Sequence, residues 1–263
     1  MKWLPSAQHL NMTLIAALVL LPISAAHAST LTINYYTIAE TDKDANNLAG
    51  GLFDNEVQNS LGINGLPVLN TSAYGCLSDC FSSVKAPTDV LADGEITYWS
   101  PILNNGGPGN ASDVTFTGSA SVSLPFDQSS NFFPPNGTGS SDYDGFQAAT
   151  LTGTLYAPTT ETISFSIGSD DMAFAYLDGQ VVCDDGGVHA SESAPCTSGV
   201  ISAGNHSLEL FFVDINNSQS GLYFDVTTEG VTTSSSTPEP GTLPLLGSGL
   251  LVLAGFVRRK IRL

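Results

Sequence analysis

Residues 114–126 alternate with little interruption. Val114, Phe116, Ala120, Val122, Leu124 and Phe126 share one parity, and Thr115, Thr117, Ser119, Ser121 and Ser123 share the other. This period of two predicts a strand with one face inward and one wet. Residues 31–38 (LTINYYTI) are β-branched and aromatic and predict the first strand. Ile163, Phe165 and Ile167 alternate with Ser164 and Ser166 as another half-buried strand. Gly168-Ser169-Asp170-Asp171 then breaks the pattern with turn formers. Phe174, Tyr176 and Val182 restart it around an Asp178-Gly179 hairpin signal, and residues 183–187 (CDDGG) close the unit. Residues 208–213 (LELFFV) and 221–227 (GLYFDVT) predict the last two strands. Elsewhere the pattern is weaker. Residues 53–61 predict one or two helical turns, 66–84 irregular chain, and 96–103 a strand as far as Pro101. Residues 40–51, 104–110 and 132–144 are loops, the last carrying Phe132, Phe133 and Tyr143. The sum is an all-β chain, an antiparallel β-sandwich with almost no helix between its two ends.

The two ends obey other rules. Residues 1–28 combine an early Lys2, an apolar run over 14–23 and Ala26-His27-Ala28, which predicts a signal peptide cleaved after Ala28. At the other end a Ser/Thr linker (232–237) leads into Pro238-Glu239-Pro240, then an apolar run over 243–257, then Arg258-Arg259-Lys260-Ile261-Arg262. Hydropathy and charge alone predict a short hydrophobic helix entering a membrane with its basic tail inside, a plain anchor being the bland case. Tripeptide, apolar run and basic cluster together resemble the PEP-CTERM sorting signal of Gram-negative bacteria. That resemblance implies transient membrane insertion, a membrane-anchored precursor, processing near Pro238-Glu239-Pro240 by an exosortase-type enzyme, and a final place at the cell surface or in the extracellular matrix.

Charge then sharpens the picture. The 263 residues carry a formal net charge of -18. All acidic residues but Glu239 lie between the two ends, against only Lys43 and Lys85, so that portion is more acidic than the whole. Such a surface repels nucleic acid and anionic lipid and attracts divalent cations; it also keeps an exported protein soluble. Cys76, Cys80, Cys183 and Cys196 form an even set in a chain bound for an oxidising compartment, which predicts disulfides. Local pairing, Cys76 with Cys80 and Cys183 with Cys196, is favoured among three connectivities. Their spacing is not a zinc pattern.

Adjacent Asp170 and Asp171 at a strand tip repel each other. Water or a cation relieves that, and calcium, a hard ion taking six to eight oxygens, suits them; an exposed acidic turn is the plainer alternative. Residues 169–182 (SDDMAFAYLDGQVV) resemble the signature of the PA14 family, and 183–189 (CDDGGVH) that of its fibro-slime relatives. The likeness extends from the lead-in at 151–165 to the strand at 208–213, covering about residues 145–228. It implies a PA14-like two-sheet β domain over 29–231, with 232–237 as linker and 238–263 as the sorting segment. It also implies calcium on Asp170 and Asp171, joined by a cis peptide, with Asp214, Asn216 and Asn217 of the loop 214–220 as further ligands. Asp178, Asp184, Asp185 and His189 are candidates for contacting the bound ligand. A glycan, exopolysaccharide first, is the implied partner.

No constellation points to catalysis. His189 and His206 stand outside any metalloenzyme spacing, and there is neither a G-x-S-x-G elbow nor a phosphate-binding loop. Abundant carboxylates leave a glycosidase pair open by residue type alone, but Asp170 and Asp171 are neighbours, not groups facing each other across a cleft. The expected function is therefore a non-enzymatic exported protein binding calcium and glycan. The alternatives are a matrix or adhesion domain that calcium merely stiffens, and an extracellular polysaccharide hydrolase.

Overall fold

The computed structural model describes residues 29–42, 44, 51–53, 55–70, 89–107, 109–129, 146–192, 194–216 and 219–235. The signal peptide, the sorting segment, Cys76, Cys80, Asn217 and the aromatic loop 132–144 lie outside the described residues.

Two antiparallel sheets make a sandwich. The larger contains β1 (Thr30–Ile38), β2 (Gly51–Phe53), β3 (Val114–Ser123), β5 (Phe146–Ala157), β7 (Met172–Leu177), β8 (Gln180–Val188), β10 (Gly204–Val213) and β12 (Thr232–Ser235). Its order is β2-β8-β7-β10-β5-β1-β3, with β12 on β5. The smaller has the order β4-β11-β6-β9, from β4 (Phe126–Gln128), β6 (Glu161–Asp170), β9 (Ala194–Ile201) and β11 (Gly221–Val226).

The larger sheet is buried on both faces, and the alternation within its strands sorts the side chains. Ala173, Ala175 and Leu177 of β7, with Leu208, Leu210 and Phe212 of β10, face the small sheet and meet Phe165 and Phe224 there. Met172, Phe174 and Tyr176, with Phe211 and Val213, face the other way. A cap from residues 55–70 and 89–104 covers that second face, and Val57, Leu69, Ile96, Tyr98 and Trp99 pack into it. Trp99 fastens the cap: its Nε1 donates to the Phe212 carbonyl at 2.7 Å and its ring stands 5.1 Å from Phe211. Cys183 and Cys196 are bonded, tying β8 to β9 across the sandwich.

Four local expectations are corrected. Among the described residues of 53–61 there are no helical turns, because Asn55 takes φ 66 and the following residues bridge to other segments, Val57 to Leu69 and Ser60 to Gln180. Residues 96–103 are not a strand past Ile96; the Ser100 and Asn104 amides turn back to Thr97 and Ser100 carbonyls. The pattern at 114–126 does not keep one face. A bulge opposite Tyr35/Tyr36 puts Phe116 beside Tyr36 but Gly118 beside Tyr35, so Phe116 is exposed while Val122 packs within the sandwich. Finally, the Ser/Thr stretch begins as structure: β12 pairs with β5 before any linker starts.

Candidate functional site

The acidic pair is buried, not the exposed acidic turn of the plainer alternative. β6 runs through Asp170 in the small sheet, and β7 begins at Met172 in the large one, so Asp170 and Asp171 form the corner where the chain changes sheets. A second corner lies beside it. Residues 214–220 carry the chain back from β10 in the large sheet to β11 in the small one. Register fixes their proximity: Met172 pairs with Val213, and Asp170 with Gly221. The two crossovers are thereby laid side by side, although 44 positions separate Asp171 from Ile215.

The Ile215 amide donates to Asp171 Oδ2 at 2.9 Å, and the Asn216 amide to Asp214 Oδ1 at 3.2 Å. The peptide between Asp170 and Asp171 is cis. Asp171 and Asp214 are 1% and 0% exposed. Burial pushes Asp171 up to about 7; the Asp170 charge adds to this, while the Ile215 amide, the Asp214 side chain and His189 oppose it.

Next to the corner, β8 supplies the opposite wall. Adjacent residues in a strand point to opposite faces. Asp185 therefore turns to the small sheet, where its Oδ2 accepts from the Ser169 amide at 3.0 Å and hydroxyl at 2.7 Å. Its Oδ1 lies 3.6 Å from His189 Nε2. Burial raises the Asp185 pKa against those bonds and His189. Asp184 turns the other way, into the cap, and accepts from the Val57 amide.

An open cleft of about 470 Å³ results, lined by Asp170, Asp171, Asn216 and Gln219, and by Val188, His189 and Ala190. Of the residues singled out in the sequence, Asp170, Asp171, Asn216 and His189 thus line one cleft, and Asp214 and Asp185 brace it from behind. Asp178 does not join them. It sits at the far end of β7, roughly 20 Å along the strand at the usual rise per residue, where it bonds His206 and Ser207. Gln219 was not singled out; it belongs to the oxygen-rich loop, and only the crossover's path shows that it faces the cleft. The donors are carboxylate and amide oxygens with one imidazole, a set that fits a hard cation such as calcium.

Residues 134–239 match the PA14 domain family, and residues 236–260 match the PEP-CTERM protein-sorting motif. No curated protein sequence matches the chain. Among solved structures, the chain is similar to a PA14 sugar-binding domain from an RTX adhesin, with 14% identity over 79% of this chain and 94% of that one and a TM-score of 0.34. It is also similar to the epithelial adhesin 9 A domain from Candida glabrata in complex with Galβ1-4GlcNAc, with 12% identity over 79% and 86% and a TM-score of 0.35. A β-glucosidase from Kluyveromyces marxianus is similar over 32% of this chain, with 14% identity and a TM-score of 0.28, and the chain spans 11% of that enzyme's length.

Proposed function

The chain carries a PA14 domain and a C-terminal PEP-CTERM protein-sorting motif, and from that premise we propose that it is an exported, non-catalytic surface or matrix protein that binds glycan through calcium. Asp170 and Asp171 would hold the ion at the wall of the cleft, with the Asn216 and Gln219 side chains beside them and Asp214 setting the loop behind. A sugar's hydroxyls would supply oxygens that the protein does not. One observation carries this reading: two sheet-changing crossovers place adjacent carboxylates and amide side chains on the wall of a single open cleft. The sorting motif marks an exported protein, which an exosortase-type enzyme processes near Pro238-Glu239-Pro240 after transient membrane insertion, leaving the domain where exopolysaccharide is the abundant ligand.

The residues of the cleft do two things in this scheme. Asp171, fixed by the Ile215 amide, presents its carboxylate in one orientation. Asp185, fixed by Ser169, holds the His189 ring near the cleft mouth. The test is a glycan array probed with the purified chain in calcium, in chelator, and as the Asp170→Asn/Asp171→Asn double variant. Calcium-dependent spots that vanish in the variant support the proposal. An empty array beside intact calcium binding favours the purely structural role, for which the lack of an aromatic residue in the loop 214–220 speaks.

A further inference from the structure

A second group of carboxylates lies elsewhere in the fold. Asp42 follows β1, Asp89 belongs to the cap, and Asp113 precedes β3. Each offers an oxygen within 4.8 Å of the others'. All three are buried, at 6%, 0% and 9% exposure. Asp42 Oδ2, Asp89 Oδ2 and both oxygens of Asp113 are enclosed without a hydrogen-bond donor. The remaining oxygens are used locally. Asp42 Oδ1 accepts from the Asp44 amide at 2.6 Å, and Asp89 Oδ1 accepts from Asn104 Nδ2 at 2.5 Å. Asn104 Oδ1 in turn takes the Asp113 amide at 3.1 Å. Gly106 closes the pocket: a Cβ there would collide with Asp89 Oδ1 and lie 3.1 Å from Asp113 Oδ2.

Buried carboxylate oxygens lacking donors, turned toward each other, are relieved either by taking up protons or by a positive charge among them, and only the latter lets all three stay ionised. The described residues contain no lysine or arginine, since Lys43 and Lys85 lie outside them. We propose that Asp42, Asp89 and Asp113 hold a calcium ion at a second site, closed by the cap, which fastens the end of β1, the cap and the start of β3 to one another. An all-oxygen set without histidine or cysteine selects a hard cation, and a closed pocket disfavours magnesium, which keeps its waters. Burial and the neighbouring carboxylates push Asp89 up to about 9 and Asp42 up to about 7, in keeping with carboxylates that lack a counter-charge. This site lies outside residues 134–239 that match the PA14 family, and the inference stands apart from the reading of the cleft.

The test uses the purified chain with the cleft silenced by Asp170→Asn/Asp171→Asn. Calcium binding is followed by calorimetry, and thermal unfolding is followed in calcium and in chelator. About one ion per chain is expected to remain bound, and calcium is expected to raise Tm by several degrees. Adding Asp89→Asn, or separately Asp113→Asn, is expected to weaken that binding at least tenfold and abolish the calcium-dependent rise. Asp113→Asn removes one of the charges that press on Asp42 and Asp89, so Tm in chelator should hold or rise as repulsion is relieved. Equal Tm with and without calcium would overturn the proposal, as it would if the ammonium of Lys43, beside Asp42 in the sequence, were the counter-charge. So would calcium binding that survives both variants.

Discussion

The two acidic groups differ in what surrounds them. Asp170 and Asp171 stand at an open corner, with amide side chains and a histidine around a cleft that a ligand can enter. Asp42, Asp89 and Asp113 are enclosed under a cap, with Asn104 and Gly106 packed over them. If both groups take calcium as proposed, the same side chain would serve two ends. An ion at the open corner would have coordination sites left for an external hydroxyl, whereas one in the closed group would only join chain segments. On that proposal, exposure on one side, more than residue type, would separate a recognition site from a staple.

Cutting the cap loose should separate the two most sharply. Trp99 is 4% exposed and bonded to the Phe212 carbonyl, so Trp99→Ala is expected to cost about 3–5 kcal/mol. In chemical denaturation with calcium titrated in parallel, the closed group should lose its ion while the open corner keeps its own. Loss at both sites would show that they fold as one unit. The reciprocal break is the disulfide. Cys183 belongs to β8, which carries Asp185 and leads to His189 at the cleft. Replacing both cysteines with alanine should cost roughly 2–4 kcal/mol for a loop of this length. It should weaken ligand binding at the cleft and leave the closed group's calcium affinity unchanged.

The smallest effect concerns the far end of β7, which belongs to neither group. His206 Nδ1 lies 2.6 Å from Asp178 Oδ2. That hydrogen bond raises the His206 pKa against burial, and the bonds from His206 and Ser207 lower that of Asp178 against burial. The raised histidine contributes stability that is complete below its unfolded value of about 6.5 and is lost as pH rises through the folded value. The lowered aspartate contributes stability that is present above its unfolded value of about 3.9 and is lost as pH falls through the folded value. The pair therefore stabilises most between those limits. Asp178 is half exposed, so the gain is under about 1 kcal/mol. A Tm–pH profile of Asp178→Asn should run below the wild type in that window and converge with it outside. Calcium binding at both acidic groups should be untouched throughout.

The strands that build the site were legible because their alternation is local. Leu208, Leu210 and Phe212 against Phe211 and Val213 state both faces of β10 in six residues. The adjacent aspartates were legible as well, since neighbouring like charges demand a reason wherever they occur. The sheet change at Asp170–Asp171 was not, because a corner between sheets and a hairpin turn use the same residue types. Phe116 was misplaced for a related reason: one bulged residue reverses every face after it without altering the composition. The closed group was invisible. Asp42, Asp89 and Asp113 stand in three separate irregular stretches, and only the folded cap brings their oxygens together. Gly106 and Asn104, which close that pocket, read in the sequence as ordinary loop residues.

The most direct measurement is a calorimetric titration of calcium into the purified chain beside its Asp170→Asn/Asp171→Asn variant. If the open corner is the recognition site, the variant binds about one ion per chain fewer than the wild type, and its calcium-dependent glycan binding disappears with that ion. If the variant binds as many ions as the wild type, the cleft holds no calcium, and the glycan mechanism drawn from it is wrong.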